Sequence, residues 1–182
     1  SQTPEDAVME AKYILEDLTE TFGELIPPGD DDATIVTVVC VERFVMMGLY
    51  WDLMGQCREL EMERNNSFLQ RRNDTKHRQT NVSNEAIYLL NSLVNKQTAS
   101  LKISCLLAIS EILGKHAEPS GAVCCDALLE RFVSAVCRSG IRYPFSELRF
   151  IDTFSPQGLK GKESYAVSSF MASVYYIAEI QG

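Results

Sequence analysis

Thr34-Ile35-Val36-Thr37-Val38-Val39-Cys40-Val41 has the β-branched composition of a strand. The chain offers it no second strand-like segment, and an isolated strand leaves its backbone N–H and C=O groups without partners. The stretch is therefore read as the start of a helix. Asp30, Asp31 and Asp32 precede it, where the positive end of the helix macrodipole favours carboxylates by about 0.3–1 kcal/mol each. From Phe44 to Leu60 the sequence is apolar nearly all round, with Met46, Met47, Leu49, Trp51, Leu53 and Met54. That predicts a long central hydrophobic helix over about 33–63, the most buried of the fold.

The flanking segments carry helical signals too. Before this helix, Val8, Ala11, Ile14, Leu15, Leu18, Phe22 and Leu25 recur at three and four behind Thr3 and Pro4, an N-cap and a first-turn proline. After it, Ser83 caps a helix carrying Ile87, Leu90 and Val94, and Ala99–Gly114 groups Ile103, Leu106, Leu107 and Ile109. A further helix spans Ala122–Ser139 with Leu128, Phe132 and Val136 inward, and the last spans Glu163–Ile180 with Val167, Phe170, Val174 and Ile177 on one face. Two stretches read differently. Residues 64–83 are polar and basic and predict a loop, and residues 141–163, broken by Pro144, Pro156, Gly158 and Gly161, predict an irregular segment. The expectation is an all-α single domain over 1–182, an irregular bundle of five to six helices around the helix at 33–63.

Composition narrows the function. The chain has 182 residues, 46% hydrophobic and 23% charged, the balance of a folded globular domain. The net charge of −8 is unevenly spread: residues 1–63 hold 15 acids against 3 bases, and residues 64–118 hold 8 bases against 4 acids. An acidic first third disfavours broad nucleic-acid or anionic-membrane binding and suits a basic partner, or self-association with the basic middle. No uncharged apolar run approaches the 18 or so residues of a membrane span, and no signal peptide is visible. Six cysteines in apolar surroundings fit reduced core thiols and an intracellular, cytoplasmic or nuclear setting. Asn-x-Ser/Thr triplets at Asn65, Asn73 and Asn81 keep a secreted, glycosylated reading open.

Few residues invite chemistry. Asp30–Asp32 lack the spacing of a calcium loop, and Cys105, His116, Cys124, Cys125 and Cys137 contain no Cys-x2-Cys knuckle, so no metal is expected. His77 and His116 have no nucleophile beside them in a recognised context. No Gly-rich phosphate loop, dinucleotide fingerprint or nucleophile elbow is present. No cofactor and no catalytic residue are expected, and the chain is read as a non-enzyme.

Two clusters remain. Arg138, Arg142, Tyr143, Phe145, Arg149 and Phe150 combine arginines and aromatics, the residue types that dominate protein-binding hot spots, and are expected to form a partner-binding surface. Arg64, Arg71, Arg72, Lys76 and Arg78 form the densest basic cluster, suited to nucleic acid or an acidic partner. The first reading is a non-enzymatic protein-interaction or assembly domain, a scaffold or adaptor that binds a protein partner or another copy of itself. The alternatives are a nucleic-acid-associated helical protein, such as a viral structural or regulatory factor working through the basic loop, and a secreted cytokine-like bundle.

Overall fold

The computed structural model describes residues 2–27, 29–72, 81–115, 125–155 and 159–179. Among them are eight helices and no strand: α1 (Pro4–Gly23), α2 (Asp31–Leu60), α3 (Met62–Arg71), α4 (Asn84–Leu93), α5 (Ala99–Lys115), α6 (Cys125–Arg138), α7 (Pro144–Phe154) and α8 (Gly161–Glu179). The fold is all-α. The β-branched run is helical, as its lack of a pairing strand requires, and it begins where the Asp30 side chain accepts from the Ala33 N–H at 3.0 Å. Gly29, at φ +90°, turns the chain between α1 and α2 in a conformation that costs other residues a steric clash. At the other end of α1, Thr3 and Asp6 form a reciprocal capping box.

The two segments expected to be irregular supply the additional helices. Pro144 starts α7 at its first turn, where its missing N–H is no loss, so the proline is an initiation signal here. The cap comes from far away in sequence: Asn65 Oδ1 accepts from the Phe145 N–H at 3.1 Å, and Asn65 Nδ2 donates to Ser146 Oγ at 2.8 Å. Asn65 therefore lies in a helix, α3, and is 2% exposed, which closes it to a glycan. Residues 73–80 of the expected loop, with Asn73, Lys76, His77 and Arg78, lie outside the described residues.

Hydrophobic packing divides into two adjoining clusters. The larger gathers Phe68 of α3 with α4–α8, including Leu90, Leu106, Ile109, Phe132, Val136, Phe170 and Val174. The smaller joins α1, α2 and α7 through Val8, Leu15, Met46, Tyr50, Met54, Phe150 and Phe154. The long helix α2 thus borders the larger core, and Phe44, Met47 and Trp51 stand exposed on its outer face. This corrects the expectation that α2 is the most buried helix. By length and composition α2 could cross a membrane, its best window having mean hydropathy 1.6, yet one of its faces is committed to α1 and α7.

A polar node joins the clusters. Lys102 of α5, fully buried, places Nζ 2.5 Å from Glu147 Oε2 of α7 and donates to Leu93 O at 3.0 Å and Tyr50 Oη at 3.1 Å. Tyr50 in turn donates to Val94 O at 3.0 Å. The last carbonyls of α4, left without intrahelical partners, are satisfied this way.

Among the described cysteines, Cys57, Cys105 and Cys137 are buried and Cys40 is exposed. Burial pushes the Cys57 thiol up to about 12, only partly opposed by the Arg149 charge. An unfolded thiol titrates near 8.5. The Cys57 contribution to stability is therefore full below that pH and is lost as pH rises towards 12. Alkylation at pH 8, read site by site by mass spectrometry, is expected to modify Cys40 at least about 100-fold faster than Cys57. Equal rates would contradict the packing described for α2.

Candidate functional site: a carboxylate-lined hollow on α6 and α8

The residues expected to form an Arg-aromatic surface are distributed by the fold. Phe145 is buried edge-on to Tyr175, with ring centroids 5.1 Å apart, and Phe150 is buried against Tyr50 at 5.3 Å. Both belong to the core and not to a partner surface, because the helical period of α7 turns them inward. Arg149 reaches back to α1 and α3, bonding Glu5 at 2.5 and 2.6 Å and Glu61 at 3.5 Å. Arg138, Arg142 and Tyr143 remain at the surface, and the Arg58 guanidinium lies 5.0 Å over the Tyr143 ring.

The basic cluster is likewise drawn into the structure. Arg64 pairs with Glu61 at 3.3 Å, Arg71 donates to Ala178 O at 2.5 Å, and Arg72 donates to the carbonyls of Cys137, Ser139 and Ile141. Lys76 and Arg78 are outside the described residues. Arg71 and Arg72 are held by carbonyls of the fold, while the Arg64 side chain stays 59% exposed.

Helices α6 and α8 pack through Leu128, Phe132 and Val136 on one side and Phe170, Val174 and Ile177 on the other. Where their outer edges meet, Asp126, Leu129, Glu130, Val133 and Tyr176 line a hollow of about 180 Å³. Asp126, Leu129, Glu130 and Val133 stand at i, i+3, i+4 and i+7, so one helical face presents two exposed carboxylates one turn apart beside an apolar floor. Tyr176 is 43% exposed, and Tyr165, three helical turns earlier on the same side of α8, is also exposed. Asp126 lies in the first turn of α6.

The Vacuolar sorting protein 9 (VPS9) domain matches residues 83–182, which contain α4–α8 and the whole of this hollow. The chain belongs to the VPS9 family. Comparison with curated proteins gives no match. VPS9 domains are protein-interaction domains that bind small GTPases and act as guanine nucleotide exchange factors for Rab5 GTPases. Exchange is catalysis, so the expectation of a non-enzyme is overturned. Sequence reading missed it because an exchange factor needs no nucleophile, metal or cofactor motif. Its working part is a surface, which carries no such motif.

A larger cleft of about 490 Å³ lies where α1 and α2 meet α7, lined by Leu15, Glu16, Val38, Glu42 and Phe154 among others. Glu42 Oε1 accepts from the Ser100 N–H at 3.0 Å, while its Oε2 is closed off from solvent with no partner. Most of the cleft also stands on α1 and α2, outside the residues that carry the family match.

Proposed function

We propose that the outer face of α6 and α8 binds a Rab5-type small GTPase and accelerates release of its bound nucleotide. A GTPase of this class holds the nucleotide phosphates through P-loop backbone N–H groups, a lysine and Mg²⁺. A protein hastens release by binding the nucleotide-free state more tightly than the loaded one, since only a differential affinity shifts the equilibrium. A carboxylate presented against an apolar floor fits that task. It competes with the phosphates for the cationic groups they occupy, in a setting where excluded water strengthens the attraction. Asp126 and Glu130 are the groups so placed, with Leu129, Val133 and Tyr176 as the apolar contact. The hollow's position within the matched residues is the observation that carries this reading.

Arg138 stands at the opposite end of α6 from Asp126, about 18 Å along the axis at 1.5 Å per residue. With Arg142 and Tyr143 it offers a separate, secondary contact for an acidic partner surface. VPS9 proteins are generally intracellular and endosome-associated, which agrees with a GTPase partner.

Release of a fluorescent GDP analogue from Rab5 tests the proposal. The wild-type chain is expected to accelerate release, and Asp126→Ala or Glu130→Ala to slow it by about 10- to 100-fold. That range corresponds to the loss of one charge-assisted contact worth about 1.5–3 kcal/mol. Glu16→Ala, an exposed acid on α1, is expected to leave the rate unchanged. A wild-type chain without effect on release, or alanine variants as fast as wild type, would reject the assignment.

A further inference from the structure

The cleft of about 490 Å³ between α1, α2 and α7 shares no lining residue with the α6–α8 hollow and is independent of the exchange reading. Leu15 and Phe154, both buried, and Val38, half-buried, give it an apolar lining. Its volume falls within the roughly 300–1,000 Å³ of small-molecule sites, where a mostly apolar wall carries a few placed polar groups.

The charged groups here are mostly of one sign. Lys12, the one basic residue of the lining, lies 3.9 Å from Glu16, which leaves Glu20 and Glu42 unbalanced. Glu42 is the deeper of the two, 3% exposed. Its Oε1 accepts from the Ser100 N–H at the start of α5, while Oε2 is buried with no hydrogen-bond partner. A buried carboxylate oxygen without a donor is costly, and a ligand that brings one relieves that cost. The terminal torsion of a glutamate is broad, so a small turn of the carboxylate meets a donor in the cleft that Glu42 lines.

The end of α7 adds to the same field. Thr153, Phe154 and Ser155 bring its C-terminus to the cleft, where the last carbonyls of a helix lack intrahelical donors and the macrodipole is negative. The Ser155 N–H donates to Ile151 O at 2.8 Å, and the last turn of α7 holds no basic residue. Helix end and carboxylates therefore favour a cation. Among the described residues no group of three or more His, Cys, Asp or Glu is placed to hold a metal ion, which leaves an organic cation.

We propose that this cleft binds an alkylammonium ion, its stem against Leu15, Val38 and Phe154 and its N–H groups towards Glu42, Glu20 and the end of α7. An ammonium suits the site because its three donors match acceptors that arrive from three helices. The same chemistry comes as a free amine or as a lysine side chain of another polypeptide.

The probes are n-hexylamine, charged at about pH 7 as lysine is, n-hexanol, hexanoate and Nα-acetyl-lysine methylamide. Each is titrated into the full chain while NMR follows the Leu15 and Val38 methyl signals. Hexylamine is expected to shift both, to saturate, and to bind at least about 10-fold tighter than hexanol or hexanoate. Glu42→Gln is expected to weaken hexylamine by about 10-fold with an unchanged circular dichroism spectrum, because the amide oxygen still accepts from Ser100. Glu20→Gln, at an exposed position, is expected to weaken it about 3-fold, and it decides alone if Glu42→Gln fails to fold. Tighter binding of the lysine derivative than of hexylamine makes the source a polypeptide, and the reverse makes it a free amine. No saturable shift with either amine, hexanol or hexanoate bound as tightly as hexylamine, or full hexylamine affinity in the folded glutamine variants overturns the proposal.

Discussion

Lys102→Ala is expected to destabilise the domain by about 3–5 kcal/mol, the usual cost of leaving one member of a buried ion pair behind. Lys102 and Glu147 are 0% and 2% exposed in their side chains, so neither remaining charge can recover water. Burial pushes the Lys102 pKa down and the Glu147 pKa up, and each partner's charge opposes the other's shift. Both directions say that the surroundings favour neutral groups and that the pair persists through its mutual contact. Lys102→Met with Glu147→Leu is therefore expected to restore stability to within about 2 kcal/mol of the wild type or to exceed it, because a volume-matched apolar pair avoids the desolvation cost. Urea unfolding of the single and double variants measures the difference. A double variant as unstable as Lys102→Ala would place the loss in the Leu93 and Tyr50 bonds of Lys102, since those carbonyl and hydroxyl partners are missing from both variants.

The helical fold was legible where backbone accounting decides. The run 34–41 favours strand by side chain and helix by the absence of a partner, and the second consideration wins because unpaired backbone groups cost more than propensity gains. Pro144 shows the limit of local rules. A proline breaks a helix only from within, and nothing near it in sequence reveals that Asn65, 80 residues away, supplies the missing cap to Phe145. The same limit hides which helix faces the fold leaves open. Apolar residues all round α2 suggest complete burial, yet the fold covers the sides that meet α1, α7 and the start of α5 and leaves Phe44, Met47 and Trp51 outside. On α6 the acids Asp126 and Glu130 satisfy the amphipathic pattern wherever the helix packs. Only the approach of Tyr176 from α8 makes a hollow of them.

The family match and the packing divide the chain at different places. The match begins at residue 83, but Phe68 of α3 lies in the larger cluster and Tyr50 of α2 joins the Lys102 node. In the other direction α7, inside the match, contributes Phe150 and Phe154 to the smaller cluster with α1 and α2. The Arg149 bonds to Glu5 and Glu61 cross the same boundary. The helices before residue 83 therefore pack onto the matched ones, α2 against α7 through Tyr50 and Phe150 and α3 against the larger cluster through Phe68.

Arg72 carries the second large effect, and Arg72→Ala is expected to cost about 3 kcal/mol. Its Nε donates to Cys137 O at 3.3 Å, Nη1 to Ile141 O at 2.8 Å and Nη2 to Ser139 O. These carbonyls belong to the C-terminal turn of α6 and the link to α7, where the chain has run out of helical donors and the dipole's negative end favours a cation. A charge-assisted bond is worth about 1.5–3 kcal/mol singly, and the three share one side chain whose ordering is counted once. Lysine cannot replace it, since a single ammonium cannot span three carbonyls set along a bend as the planar guanidinium does. Arg72→Lys is therefore expected to recover less than half of the loss. The turn also fixes where α6 ends relative to α7 and hence how the α6 face is held, so Arg72→Ala is expected to broaden hydrogen-exchange protection loss over 137–146 before the α1–α2 pair is affected. Full recovery by lysine would mean that charge at the helix end, and not the three-way geometry, is what Arg72 supplies.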